Sequence, residues 1–307
     1  MSSPRPGAHT GVFLGLATLD IVHSVDALPG LNKKITARGQ EVAAGGPATN
    51  AAITFAAMGG DAVVVTALGQ GAVARIIRAE IESRGVRVID VAADHAGEAA
   101  VSSITVLAAT GERTVVSTDG TAFTVETVPD LSALLKDADV ALVDGHHPAL
   151  AEAGARAARA AEVPLVLDGG RWREVMSTLL PLTDDVICSA DFRYPGTVDV
   201  ESSAAAITAR GVSTTVVTRG PDPVLWWRGD RAGSVAPPVV PVVDTTGAGD
   251  AFHGAYCYLL ANSNLDVDDR IAMAARIASI KCCYAGTRTW LAHLAGGSWS
   301  DAGHRPA

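Results

Sequence analysis

The 307-residue chain carries 24 Lys and Arg against 33 Asp and Glu, a formal net charge of −9. That balance argues against a nucleic-acid surface, which needs a net basic face, but a few local donors can still hold one phosphate. Hydrophobic residues at 48% and charged residues at 19% describe a globular chain with a large core. No apolar run reaches the ~18–20 residues of a membrane helix. Residues 1–10 have no apolar stretch of the secretory kind, and they and 296–307 are expected to be flexible tails. Cys188, Cys257, Cys282 and Cys283 form neither a CxxC nor a zinc spacing, which points to reduced thiols and a cytoplasmic location.

Short, β-branched apolar runs at 11–17, 62–68, 140–144, 163–168, 185–188 and 213–218 read as buried parallel strands. Between them, 48–58, 72–84, 148–161, 173–180 and 200–210 carry helical period. The alternation predicts a doubly wound α/β sheet with helices on both faces. Two segments, about 31–44 and 98–118, alternate instead and contain turn residues. They read as half-exposed strands of a small lid sheet, or else as hairpins at the edge of the core.

The strongest chemical signal is Val243-Asp244-Thr245-Thr246-Gly247-Ala248-Gly249-Asp250-Ala251-Phe252, running into helical sequence over 248–261. A glycine turn here exposes backbone N–H groups at a helix N-terminus, where the aligned dipoles add positive charge. Gly247, Ala248 and Gly249 thus form a candidate anion hole, and Asp250 stands beside it. A carboxylate there would repel a bound phosphate, so a purely structural role would be costly, although a plain helix-terminal acid remains the alternative. The same dipole is expected to lower the pKa of Asp250 and make it a weak base.

Near the N-terminus, Asp20 follows the first strand, where ligands of open α/β sheets bind. A carboxylate accepts paired sugar hydroxyls well, and a turn or cap role is the alternative. Gly45-Gly46-Pro47-Ala48-Thr49-Asn50 is a second glycine turn opening a helix.

Together these strings resemble the two signatures of the ribokinase-like (PfkB) carbohydrate kinases, and the resemblance runs from Val12 to about Leu291. It implies one kinase domain over 11–292, a three-layer α/β/α core with a mostly parallel sheet, and a small β lid. It implies ATP as donor, Mg²⁺ on its phosphates, and transfer to a hydroxyl of a small ketose-like sugar or sugar phosphate. In that family the Asp matching Asp250 is the general base, the glycine turn holds the phosphoryl group, and residues matching Asp20, Gly45, Gly46 and Asn50 contact the sugar. Pro47 stands where many members carry Asn or Lys.

Further matches follow from the same resemblance. Arg113 in the second lid segment would reach the phosphate or an anionic part of the substrate, and a solvated hairpin Arg is the alternative. Thr218 and Gly220 would lie near the nucleotide phosphates, with Pro223 replacing a usual Gly. Gly286, in the 281–287 segment, would lie beside adenine. Asp244 and carbonyls near Ala285 would be K⁺ ligands. The family's Asn-x-x-Glu is replaced by Ser189-Ala190-Asp191-Phe192, leaving Asp191 to order Mg²⁺ waters or ATP to hold the ion. The look is nearest to the sulfofructose kinases, whose substrate anion needs a cation. Segment 143–147 offers His146, and no Arg. His146 and His147 could equally be a polar loop, and His253 reads as a packing residue. A nucleoside kinase on the same fold and a catalytically silent sugar binder are the alternative functions. A homodimer through the lid is also compatible with the pattern.

Overall fold

The computed structural model describes residues 8–122, 125 and 127–294. Residues 1–7 and 296–307 of the expected tails lie outside the described residues. The chain begins with β1 (Thr10–Leu14), β2 (Thr18–Val25), β3 (Gly39–Gly45) and α1 (Pro47–Ala57). It continues through β4 (Asp61–Thr66), α2 (Ala72–Ser83), β5 (Val86–Asp90), β6 (Ala100–Leu107) and β7 (Arg113–Ser117). Then follow α3 (Ser132–Lys136), β8 (Val140–Val143), α4 (Pro148–Ala160), β9 (Leu165–Gly169), α5 (Met176–Leu179), β10 (Asp185–Ser189) and α6 (Val200–Thr208). The last elements are β11 (Thr214–Arg219), β12 (Asp222–Arg228), β13 (Arg231–Val235), α7 (Ala248–Asn262) and α8 (Val267–Cys282).

Nine strands form one sheet in the order β13-β12-β11-β10-β9-β8-β1-β4-β5. It is parallel except for β12 and β13, which turn back as hairpins at one edge. The strand pleat sends neighbouring residues to opposite faces. Phe13 therefore packs with Phe55 of α1 and Tyr256 of α7, while Val12 and Leu14 pack with Leu150 of α4. Helices cover both faces, as the continuous apolar strands require. A second, four-stranded sheet has the order β3-β2-β6-β7.

Several expectations change in detail. The first strand stops at Leu14 because the chain bends at Gly15, where a Cβ would lie 2.2 Å from the Asp144 carboxyl. Asp20 is consequently inside β2, a strand of the small sheet, and not at the end of the first core strand. The segment expected as strand from 31 onward is turn and coil until β3 begins at Gly39, and β2 takes the place beside it. The helix expected over 173–180 shrinks to α5, a single turn followed by a 3-10 turn over Leu180–Leu182. Strands β5, β12 and β13 were not legible, nor was α8. The buried face of α8 includes Arg270 and Lys281, which interrupts the apolar period. Both cations are matched by tertiary partners: Arg270 reaches Asp185 at 3.7 Å and Lys281 reaches Asp244 at 3.1 Å.

The packing that matters most for the site is α1 against α7. At Gly254 a Cβ would sit 2.3 Å from the Ala51 carbonyl oxygen, so the two helices approach at backbone distance. Gly254→Ala is expected to destabilise the protein by about 1–3 kcal/mol through overpacking. Urea unfolding of the two proteins measures it, and equal midpoints would show that the helices have room to separate.

Candidate active site

Two glycine turns and the two helices that follow them build the cleft. Gly46, with φ 98°, precedes α1, and a Cβ there would lie 2.2 Å from the Leu16 carbonyl. Pro47 occupies the first turn, where its missing N–H costs nothing. The first turn of α1 is further held by the buried Asp144 carboxylate, which accepts from the N–H groups of Ala48 at 3.3 Å and Leu16 at 2.8 Å. Burial alone would raise the pKa of Asp144. The neighbouring His146 and the donated N–H bonds outweigh it and hold that carboxyl well below its usual range.

Gly247 precedes α7 in the left-handed region, φ 74°. The Ala248 N–H donates to Thr245 O at 3.2 Å. This differs from the expectation that Ala248 lends a donor to the anion hole. Among the described residues, the N–H groups of Gly247, Gly249 and Asp250 have no hydrogen-bond partner and are the donors available to an anion.

The two turns meet directly. Asn50 Nδ2 donates to Asp250 Oδ2 at 2.7 Å, and Asn50 Oδ1 accepts from Arg288 Nη1 at 3.0 Å. Arg288 also binds Ala44 O, and its Nε donates to Glu80 at 3.2 Å. Arg288 thereby fixes which way the Asn50 amide points. It lies one residue past the 281–287 segment singled out in the sequence, and nothing local marks it. Asp20 accepts from the Thr18 hydroxyl at 2.6 Å, and a Cβ on Gly45 would come within 2.0 Å of its carboxylate. Burial raises the pKa of Asp20 against the opposing hydrogen bonds of Thr18 and Ser102. Asp20, Asn50, Thr246, Gly247, Lys281 and Arg288 line one pocket.

A second carboxylate, not foreseen in the sequence, modifies Asp250. Asp168, at the end of β9, is 7% exposed. One ligand atom from each of Asp168, Asp250 and His253 lies within 4.8 Å of the others. Burial and the Asp168 charge push the Asp250 pKa up to about 6. The expected lowering by the helix dipole is thus overridden, because desolvation and a like charge at close range exceed a partial charge of about one half. His253 is buried, its ring within 2.8 Å of Gly249 O and 3.3 Å of Ile187 O, which ties the start of α7 to β10.

The remaining predicted residues fall around this centre. Arg113, on β7, donates to the Thr245 hydroxyl at 3.3 Å, so the small sheet reaches the α7 turn. Thr218 lies opposite Ser189 in the β10–β11 register, and Gly220 follows in the next turn with φ 59°. Asp191 is exposed just after β10. An exposed carboxylate fits an indirect Mg²⁺ contact, since that ion keeps several waters. Gly286 N–H donates to Asp244 Oδ2 at 3.2 Å. Asp244 itself does not fit the K⁺ role. Its carbonyl and Oδ2 both accept from Lys281 Nζ, at 3.2 and 3.1 Å.

His146 belongs to an adjacent charged cluster. Its ring lies 3.1 Å from both Asp119 and Asp144. Burial opposes its charge, yet the Asp144 carboxylate raises its pKa. Arg173 donates to the same ring and pairs with Asp119 at 3.3 Å. The guanidinium missing from 143–147 therefore arrives from the loop after β9, which only the tertiary fold reveals.

A nine-strand α/β sheet with a small second sheet carries a carboxylate beside a glycine-rich helix N-terminus, a frame that suits phosphoryl transfer to an alcohol. The chain belongs to the pfkB family of carbohydrate kinases, whose profile matches residues 9–293. It is 22% identical over 283 residues to the ribokinase of Bacillus subtilis, covering 90% of this chain and 93% of that protein. It is 24% identical over 298 residues to the ketohexokinase of Mus musculus, covering 89% and 96%. Its fold is similar to the Arabidopsis thaliana ribokinase complexed with ribose and ATP, with TM-score 0.74, 20% identity and coverage of 94% and 99%. It is also similar to the Xylella fastidiosa fructokinase with bound ATP, with TM-score 0.71, 19% identity and coverage of 93% and 96%.

The Asp168–Asp250 repulsion gives a pH prediction. A carboxylate accepts a proton only when ionised, so a reaction that uses Asp250 as acceptor should slow as the pH drops through about 6. Asp168→Asn removes the like charge and lowers the Asp250 pKa, so the acid limb of the kcat profile should move to lower pH. A limb that stays in place or moves upward would show that Asp168 does not tune Asp250.

Proposed function

We propose that this kinase transfers the γ-phosphoryl group of ATP to a hydroxyl of a small ketose-like sugar, with Asp250 as general base. The observation that carries this reading is the Asn50–Asp250 contact beside the unpartnered N–H groups of Gly247 and Gly249. Asp20, Gly45, Gly46 and Asn50 hold the sugar, and Asp250 orients the accepting hydroxyl. That oxygen bonds to the γ-phosphorus, the bond from the γ-phosphorus to the β–γ bridging oxygen breaks, ADP leaves, and the hydroxyl proton passes to Asp250. Negative charge on the moving phosphoryl group is met by the α7 N-terminus, and Arg113 stands across the turn. A pKa near 6 suits Asp250 better than an ordinary Asp value, because a base poised near the working pH is ionised yet able to keep a proton.

ATP lies along Thr218, Gly220 and Gly286 in this reading. Asp191 would hold one of the waters of a Mg²⁺ ion, which when bound would neutralise charge on the phosphates. A cytoplasmic location follows from the ATP supply and agrees with four free cysteines. The His146 cluster bears on the substrate. Arg173 donates to the His146 ring and pairs with Asp119, while Asp144 adds a second carboxylate, so the cluster holds no surplus positive charge for a phosphate or sulfonate. A neutral ketose is therefore favoured over a sugar phosphate.

The test is ATP consumption across neutral sugars, sugar phosphates and nucleosides. Turnover confined to neutral ketoses supports the reading; selective turnover of a sugar phosphate or nucleoside replaces it. Asp250→Asn should lower kcat by about 10²- to 10⁴-fold with sugar binding retained, measured by calorimetry. Near-normal turnover would remove Asp250 from the mechanism. Asp20→Ala should mainly raise the KM for sugar, and a change confined to ATP would reverse the assignment of the two ends of the cleft.

A further inference from the structure

The pocket beneath the α7 turn contains a buried cation that neither sugar nor nucleotide chemistry explains. Lys281 sits in the last turn of α8 with its side chain 1% exposed. Its Nζ donates to two oxygens of a single residue, the carbonyl and Oδ2 of Asp244. The rest of Asp244 is equally committed. Oδ1 accepts from Thr246 N–H at 2.8 Å, Oδ2 also accepts from Gly286 N–H, and the N–H donates to Cys282 O at 3.2 Å. Asp244 is therefore the junction between the end of α8 and the turn that presents Gly247 and Gly249. Burial opposes its charge, but the Thr246 N–H and the Lys281 ammonium together hold its carboxyl below the usual range.

We infer that the Lys281 ammonium serves as a built-in monovalent cation that organises the phosphoryl-binding turn, so that the enzyme runs without an added alkali metal. A K⁺ ion seeks carbonyl and carboxylate oxygens, and an ammonium group has the same charge and a similar size. Here the ammonium already takes one oxygen of each kind. A second cation at those oxygens would stand within a few ångströms of Nζ in a poorly solvated pocket, where like charges repel strongly. The tether fixes the cation without any loss of free-ion entropy. It also cancels the Asp244 charge at a point three residues from Gly247, where a net anion would oppose an incoming phosphoryl group. Lys281 touches no reacting atom in this account and is a positioning residue.

The inference rests on the kinase reading, and wild-type turnover of any acceptor establishes that reading first. Activity is then compared in tetramethylammonium, Na⁺, K⁺ and NH₄⁺ salts at equal ionic strength. Wild-type rates should be alike in all four; strong selective activation by K⁺ would overturn the inference. Lys281→Met opens the space and should lower kcat by about 10²-fold, the scale of losing a preorganised electrostatic group. K⁺ and NH₄⁺ should restore part of that loss, while tetramethylammonium, too large for the pocket, should not. Thermal unfolding gives a readout independent of turnover. The Lys281→Met melting temperature should rise selectively with K⁺ or NH₄⁺ by mass action, and that of the wild type should not. A variant as active as wild type, or one impaired with no cation rescue in either measurement, would leave Lys281 a packing residue only. If Lys281→Met does not fold, selective K⁺ activation of the wild type still overturns the inference.

Discussion

The site depends on the contact between Asn50 and Asp250, which closes only because α1 and α7 pack at backbone distance. Each side chain sits in the first turn of its helix, just past a glycine turn. Gly254 removes the side chain that would hold the helices apart. Arg288 then locks the Asn50 amide from the opposite side. One short hydrogen bond thus joins the two glycine turns at the point where the two helices meet.

The electrostatics around that junction are arranged by burial more than by helix dipoles. Asp250 lies at a helix N-terminus, which favours its charge, yet the nearby Asp168 and the loss of solvent raise its pKa. Asp144 goes the other way, because N–H donors and His146 surround it. Two buried acids of the same type therefore end with opposite tendencies, one raised toward neutrality and one a fixed anion that braces the start of α1. Lys281 supplies the third element, a cation at the base of the turn.

The small sheet links these parts from outside the core. β2 carries Asp20, β7 carries Arg113, and each reaches a different glycine turn. The same sheet thereby touches both turns through residues of opposite charge.

The sequence by itself determined the layered α/β core and both glycine turns, and singled out Asp20, Asn50 and Asp250 as candidates, because these signals are local. A buried parallel strand is a continuous apolar run, and a helix-opening anion site needs small residues in a fixed short order. Only the tertiary structure decided the rest. Asp168, Arg173, Lys281 and Arg288 each act through a partner far away in the chain, and an isolated charged residue in sequence does not show what it will face. α8 was hidden for the same reason, since its buried face carries cations whose matching anions lie on β10 and in the turn before α7. The pKa of Asp250 was misread because a local rule, the helix dipole, was outweighed by a carboxylate brought from β9 by the fold.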